Sequence, residues 1–119
     1  MEAITEEENP VPYREGSSVS PLEGPIVEAL RTVFDPEIPV SIFDLGLIYD
    51  LAIDDAGAVK VTMTLTAPNC PVAEEIPKWA REAVAAVDGV THAEVELVWD
   101  PFWKQDYMTE AARLMLGLM

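Results

Sequence analysis

Hydrophobic and polar residues alternate in three short stretches of this chain and recur at helical spacing in three others. Alternation with a period of two is typical of a half-buried strand, whereas recurrence every three to four residues is typical of an amphipathic helix. The patterns follow one another in the order α-β-β-α-β-α. We therefore expect an α+β fold: a two-layer sandwich in which helices pack on one face of a small, three-stranded mixed sheet.

The predicted helices cover about residues 20–33, 71–87 and 109–116, and the predicted strands cover 47–54, 58–66 and 91–99. Ser20 is expected to cap the first helix. In the first strand, alternation assigns Tyr49 and Leu51 to one face and Ile48 to the other. Pro77 lies inside the second helix, so we expect a kink or an irregular first turn there.

The stretch Thr66-Ala67-Pro68-Asn69-Cys70-Pro71 joins the second predicted strand to the second predicted helix, and it contains the only cysteine. Asn69 tolerates a left-handed backbone, and Pro71 suits the first position of a helix. Cys70 would then lie at or next to a helix N-terminus, where unpaired N–H groups favour the reactive, metal-binding thiolate. A buried cysteine that only packs is an equal alternative from this local pattern.

Two further turns carry candidate chemistry. Asp35-Pro36-Glu37 is predicted to be a rigid loop with two carboxylates, because the residue before a proline is pushed towards extended geometry. Asp35 either caps a turn, which the local sequence favours, or points with Glu37 at the thiol as a base or metal ligand. In the second turn, Asp44 is a candidate cap and Gly46 is expected to adopt a positive φ.

An aromatic loop, Trp99-Asp100-Pro101-Phe102-Trp103, follows the third predicted strand. Its three large aromatic side chains are costly to expose together. We expect them to cover the sheet edge or the cysteine loop, and a partner-binding patch is the alternative. His92, the only histidine, lies on the polar face of its strand and is expected to be solvated.

The 119 residues suffice for one domain with a modest core. Residues 1–20 are expected to form an acidic disordered tail and residues 21–119 the folded domain. A net charge of −15 argues against binding to nucleic acid or anionic membrane and favours a basic partner surface. The first residues lack the basic start and apolar run of a signal peptide, so we expect a cytoplasmic protein.

Taken in order, these motifs closely resemble the SufT/PaaD-like family of iron–sulfur cluster assembly accessory proteins. The resemblance covers about residues 22–117 and includes Asp44-Leu45-Gly46-Leu47-Ile48-Tyr49 and the downstream Met108-Thr109-Glu110. It implies that Cys70 is the functional cysteine and a candidate cluster ligand. The residues it implies as supporting positions are Asp35, Pro36, Glu37, Asp44, Gly46, Thr66, Asn69, Pro71 and Trp103.

The chain departs from the family pattern at a few positions. Asn69 replaces a common glycine but keeps the left-handed option, and Phe102 replaces a common proline, which puts the rigidity of the aromatic loop in question. PaaD-type members tend to carry additional C-terminal cysteines, whereas this chain has none. The resemblance therefore favours the SufT-like branch, within the SUF system of metal-cluster maturation.

The resemblance implies an accessory factor for iron–sulfur cluster assembly or transfer and not an enzyme. A cluster usually takes four protein ligands, and this chain offers one thiolate. A transient cluster would have to be shared between two chains, as in a homodimer, or completed by a partner. The implied partners are assembly scaffold proteins and client apoproteins. Two alternatives remain: a thiol enzyme with Cys70 as nucleophile, for which His92 is the sole histidine base, and a pure protein-interaction module.

Overall fold

The computed structural model describes residues 12–16, 18, 20–34, 40–66 and 75–117. The helices are α1 (Glu23–Leu30), α2 (Glu75–Ala85) and α3 (Glu110–Met115), and the strands are β1 (Ile48–Ile53), β2 (Ala58–Met63) and β3 (His92–Leu97). A short 3-10 turn, Gln105–Tyr107, precedes α3. This is the α-β-β-α-β-α order that the sequence predicts.

The sheet has the strand order β1-β2-β3. β1 and β2 form an antiparallel hairpin, and β3 returns after α2 to pair with β2 in parallel. A parallel return needs a crossover connection, and α2 supplies it. In the hairpin loop, one carboxylate oxygen of Asp54 accepts hydrogen bonds from the backbone N–H groups of Ala56 and Ala58, each at 2.9 Å. The combination of one antiparallel and one parallel strand pair confirms the predicted mixed sheet.

The core lies between one face of the sheet and the two longer helices. Val59, Val61 and Met63 point from the central strand into this core and are at most 2% exposed. The helix residues that meet them recur every three to four positions, as the sequence pattern requires: Ile26, Val27 and Leu30 on α1, and Ile76, Ala80 and Val84 on α2. The opposite face of the sheet carries exposed polar side chains, so the fold has two layers.

A β-bulge changes the face assignments in β1. Ile48 pairs with Met63 and Asp50 pairs with Thr62, so Tyr49 is an extra residue on β1. The extra residue reverses the alternation, and Ile48 joins Leu51 among the buried side chains of the core. The prediction that Ile48 faces away from Leu51 is therefore wrong, because simple alternation assumes an unbroken ladder.

The helix boundaries also differ from the prediction. The first helix begins at Glu23, and its N-cap, Leu22, makes no side-chain capping bond. Ser20 instead closes the preceding turn, in which its Oγ accepts a hydrogen bond from Leu22 N at 3.1 Å. Pro77 is the third residue of α2 as the structure describes it.

The segment that precedes α1 contacts the folded domain. Tyr13 N donates to Ile48 O at 2.7 Å, which places the segment beside β1. The buried carboxylate of Glu23 accepts hydrogen bonds from Gly16 N at 2.9 Å, from Ser18 N at 3.1 Å and from the Tyr13 hydroxyl. The sequence pattern assigned this segment no packing role, because its contacts are single polar groups and not an apolar stripe. The domain boundary at residue 21 stays a prediction.

No helix among the described residues is long and apolar enough to cross a membrane.

Candidate functional site

One end of the sheet collects three of the sequence motifs. Because β2 and β3 are parallel, their carboxyl ends lie at the same end, and antiparallel β1 begins there. Backbone hydrogen bonds join the three chain segments at this end: Thr64 N donates to Leu47 O at 2.9 Å, and Val98 N donates to Met63 O at 2.8 Å. The turn before β1, the exit of β2 towards Thr66 and the aromatic loop after β3 therefore meet at one site.

The turn at residues 41–47 is built by local hydrogen bonds. Ser41 Oγ accepts from Asp44 N at 3.1 Å and donates to Asp44 Oδ2 at 3.1 Å. The capping oxygen is therefore that of Ser41, and Asp44 is the residue it caps, which reverses the predicted role. Gly46 has a φ of +85°, which confirms the positive φ expected of it.

Asp44 connects this turn to α1 and α3. Its Oδ1 accepts from the Thr109 hydroxyl at 3.1 Å and lies 3.6 Å from Arg31 Nε. Its backbone carbonyl accepts from Thr109 N at 2.9 Å, and Thr109 also caps α3 by accepting from Ala112 N at 3.1 Å. One carboxylate thus joins the end of α1, the turn and the start of α3.

The Arg31 guanidinium lies 4.9 Å from the centre of the Phe43 ring and forms ion pairs with Glu15 and Glu28 as well as with Asp44. Burial alone lowers the pKa of Arg31, but the neighbouring carboxylates outweigh it and the net shift is upward. Arg31 therefore stays charged and balances part of the acidic surface at this end.

The aromatic loop docks on the turn through two polar contacts. Trp103 Nε1 donates to Leu45 O at 2.7 Å, and the Tyr49 hydroxyl donates to Pro101 O at 2.8 Å. The Tyr49 ring meets Tyr107 edge-on, with centroids 5.9 Å apart. Burial, together with Tyr107 and Asp100, raises the pKa of Tyr49 to about 12. The bulge at Tyr49 therefore turns this side chain towards the aromatic loop.

The aromatic side chains of this loop do not behave alike. Trp99 and Trp103 are half-buried against the core, and the Trp103 indole contacts the turn before β1. The cysteine loop, which these side chains were predicted to cover as an alternative to the sheet edge, lies outside the described residues. Phe102 is 73% exposed, so the expectation is wrong for this side chain.

The backbone of Tyr107 approaches Gly46 closely. A Cβ atom placed on Gly46 would lie 2.3 Å from Tyr107 O and 2.7 Å from Tyr107 C, far inside van der Waals contact. Only glycine leaves room for this approach and also adopts its positive φ without strain. Gly46 is therefore where the turn before β1 and the segment before α3 come together.

Several predicted site residues lie outside the described residues: Asp35, Pro36, Glu37, Asn69, Cys70 and Pro71. Their described neighbours are at the site. Phe34 and Ser41 form an isolated β-bridge that flanks the acidic-proline segment. Thr66, half-buried, follows the exit of β2. Within the described residues there is no cluster of three or more His, Cys, Asp or Glu side chains that could hold a metal ion.

Thr64 is a residue of this site that the sequence pattern did not single out. It is fully buried, and its hydroxyl has no hydrogen-bond partner in the part of the chain that the structure describes. Alternation alone predicts that Thr64 faces solvent with Thr62. It is buried because the chain segments from β1 and β3 close over this end of the sheet.

The sequence of residues 24–97 matches the family described as "Iron-sulfur cluster assembly protein". The chain belongs to this family. The match runs from the start of α1 to the end of β3, so it includes the turn before β1 and the Cys70 segment but not the aromatic loop. The sequence resemblance to iron–sulfur assembly accessory proteins is confirmed.

Individual relatives agree with this membership. A protein of Porphyromonas gingivalis named "Fe-S protein maturation auxiliary factor" is 50% identical over 82% of this chain and 92% of its own length. The "Fe-S protein maturation auxiliary factor SufT" of Staphylococcus aureus is 37% identical over 72% of this chain and 98% of its own length. The crystal structure of a domain of unknown function, DUF59, from Bacillus anthracis superimposes with a TM-score of 0.76 at 34% identity, covering 82% of this chain and 93% of that one. The SufT-like resemblance is therefore supported by sequence, and a solved DUF59 domain has the same fold.

Proposed function

We propose that this protein is an accessory factor in iron–sulfur cluster maturation that acts through Cys70. The observation that carries the proposal is the convergence of three segments at one end of the sheet: the turn that follows the acidic-proline motif, the exit of β2 that precedes the cysteine loop, and the aromatic loop. Relatives named as Fe–S protein maturation auxiliary factors support the assignment to maturation. The specific role of Cys70 is part of the proposal.

In this proposal the cluster is cargo. Four ligands usually hold a cluster, and Cys70 is the only cysteine of the chain. A bound cluster would therefore bridge two chains or be completed by a partner's ligands, which makes it easy to pass on. Assembly scaffold proteins would supply the cluster and client apoproteins would accept it in the cytoplasm. The protein would exchange only the iron–thiolate bond between Cys70 and the cluster and would convert no other substrate, so we propose no enzymatic reaction.

The described part of the site would supply a rigid base for this exchange. Asp44, Gly46 and Trp103 hold the turn, α3 and the aromatic loop together through contacts that span distant parts of the chain. Thr66 continues from β2 towards the cysteine. A ligand on a segment anchored at both ends by ordered structure loses less conformational freedom when it binds. These residues would therefore act by positioning and not by contact with the cluster.

The decisive experiment is anaerobic reconstitution of the full chain with iron and sulfide, followed by absorption spectra of the wild type and of Cys70→Ala. The wild type should acquire thiolate-to-iron charge-transfer bands that Cys70→Ala lacks. Native mass spectrometry should find the cluster on two chains, and transfer to a cluster-free apoprotein should restore that protein's spectrum. Cys70→Ser, which keeps the size of the side chain, controls for folding through its melting curve.

Two outcomes would replace the proposal. A wild type that binds no iron and whose Cys70→Ser variant still supports maturation would make the protein an interaction module. A cluster on a single chain, without an external thiol, would mean that ligands other than Cys70 complete the site.

A further inference from the structure

The outer edge of β3 carries backbone hydrogen-bonding groups that the sheet does not use. β3 is the last strand in the order β1-β2-β3. Val98 N donates to Met63 O, so the N–H groups of alternate residues, Glu96 and Glu94, also point to β2. Those of Ala93, Val95 and Leu97 point the other way. No hydrogen bond joins these three groups to a described residue outside the sheet.

Side-chain exposure agrees with an open edge. Val95 and Leu97 are half-buried, whereas their register partners on the central strand, Val61 and Met63, are fully buried. The other edge of the sheet is different, because Tyr13 N already donates to Ile48 O on β1. Among the described residues, β3 is therefore the edge with room for a further strand.

The charges beside this edge select what could pair with it. On the outer face of the three strands, Asp50, Glu94 and Glu96 are exposed and Lys60 is the only Lys or Arg. Lys60 lies 3.0 Å from Glu96 and leaves the face with excess negative charge. The pKa of Lys60 is raised by its hydrogen bond to Glu96 and by the charges of Glu96 and Glu94.

A second copy of the chain is a poor occupant of the edge. Two-fold antiparallel pairing of β3 about Val95 would place Glu94 of one copy opposite Glu96 of the other. Like charges in cross-strand pairs are destabilising. Charged side chains on edge strands commonly prevent such self-association. The same carboxylates attract a strand that carries cations at these positions.

We propose that β3 binds an extended partner segment, in which cationic and apolar residues alternate, as a fourth strand of the sheet. The main-chain groups of Ala93, Val95 and Leu97 would pair with the segment's backbone. The segment's cations would face Glu94 and Glu96, and its apolar residues would extend the inner face beside Val95 and Leu97. Strand addition of this kind takes affinity from the backbone and specificity from alternate side chains. The proposal does not depend on Cys70 and goes beyond the role proposed for it.

The probe is a fluorescein-labelled peptide, Lys-Val-Lys-Val-Lys-Val, which matches the six residues of β3, measured by fluorescence anisotropy with the full chain. Its control is the same peptide with a methyl group on every second backbone nitrogen. Methylation removes the hydrogen bonds of these nitrogens to the strand edge without changing the charge of the peptide. Two methylated peptides are needed, one for each set of alternate nitrogens, because the direction of pairing is not fixed. We expect saturable binding of the first peptide and at least tenfold weaker binding in one methylated register.

Matched protein variants separate strand addition from general attraction to an acidic protein. Glu94→Lys with Glu96→Lys should weaken binding at least tenfold. Glu82→Lys with Asp88→Lys changes the net charge equally, at exposed positions on α2 and after it, and should change affinity less than twofold. Cys70→Ser should bind the peptide like the wild type, so failure here is distinct from failure of the cluster experiment. Circular dichroism checks the fold of each variant.

Each of the following results would overturn the proposal. Equal binding of the parent peptide and both methylated peptides, or equal losses in the two double variants, would mean that only charge is recognised. Absence of binding at millimolar peptide would mean that the edge accepts no strand. A metal-free wild-type dimer in sedimentation velocity to which the parent peptide does not bind would make a second copy the occupant of the β3 edge.

Discussion

Replacing Gly46 by alanine tests how closely the turn before β1 meets the segment before α3. Gly46 has a φ of +85°, and an added Cβ would lie 2.3 Å from Tyr107 O. Two penalties therefore act together: a left-handed backbone for an L-residue and a steric overlap with another part of the main chain. Gly16→Ala separates them, because Gly16 has a φ of +96° but an added Cβ would have no atom within 4 Å.

The expected magnitudes follow from these two terms. A left-handed conformation costs an L-residue about 1–2 kcal/mol. Forcing a methyl group into an occupied space costs about 1–3 kcal/mol more, because neighbouring backbone must shift. We therefore expect the free energy of unfolding to fall by about 1–2 kcal/mol in Gly16→Ala and by about 2–5 kcal/mol in Gly46→Ala. The difference between the variants isolates the overlap with Tyr107.

Urea unfolding, followed by circular dichroism, measures both variants against the wild type. The midpoint should shift more in Gly46→Ala, and the slope of the transition should stay the same if both variants unfold in two states. In the same sample, the tryptophan fluorescence, to which Trp103 contributes together with Trp79 and Trp99, should change if the Trp103 indole is displaced from Leu45 O, a contact of 2.7 Å. Equal destabilisation by Gly46→Ala and Gly16→Ala would refute the close approach of Tyr107.

Three further predictions concern other parts of the structure. Thr64→Val should raise the free energy of unfolding, because the buried Thr64 hydroxyl has no hydrogen-bond partner among the described residues and an unpartnered hydroxyl costs about 1–3 kcal/mol. Thr64→Ser should keep that cost, and a lowered free energy of unfolding in the valine variant would reveal a hydrogen-bond partner. Burial raises the pKa of Tyr49 to about 12, so its neutral phenol should contribute stability that is complete below a pH of about 10 and is lost as the pH rises towards 12. If Tyr49→Phe lost as much stability as the wild type over this pH range, the prediction would be contradicted. Deleting residues 1–20 should lower the free energy of unfolding by about 1–3 kcal/mol, because Glu23 loses the donors Tyr13 and Gly16, and an unchanged melting temperature would show that these bonds contribute nothing.

The order and type of the helices and strands follow from the pattern of apolar and polar residues. Val59, Val61 and Met63 alternate with polar residues because a strand buries every second side chain, and the structure buries all three. Ile76, Ala80 and Val84 recur every fourth residue because one helix face meets the sheet. These are local regularities, and any chain with this pattern faces the same geometry. The positive φ of Gly46 was also predictable, because glycine is the residue that adopts a left-handed backbone in a turn without strain.

The candidate site was predictable only in part. The ordered motifs identified the family and the turn that contains Asp44. The same motifs could not reveal that Ser41 caps this turn, because Ser and Asp are both good caps and the backbone geometry chooses between them. The role of Cys70 stays a proposal, since it depends on what the thiolate meets and not on its position in the sequence.

Contacts between residues far apart in the chain could not be predicted from the sequence pattern, because they depend on how the elements pack. Trp103 reaches Leu45 across 58 positions, and Thr109 reaches Asp44 across 65. The bulge at Tyr49 and the burial of the Thr64 hydroxyl likewise arise where segments from different elements meet. Periodicity describes which face of an element is apolar, but it contains no information about which distant backbone group will lie against that face. Such contacts form only when the whole core has set the distances between its elements.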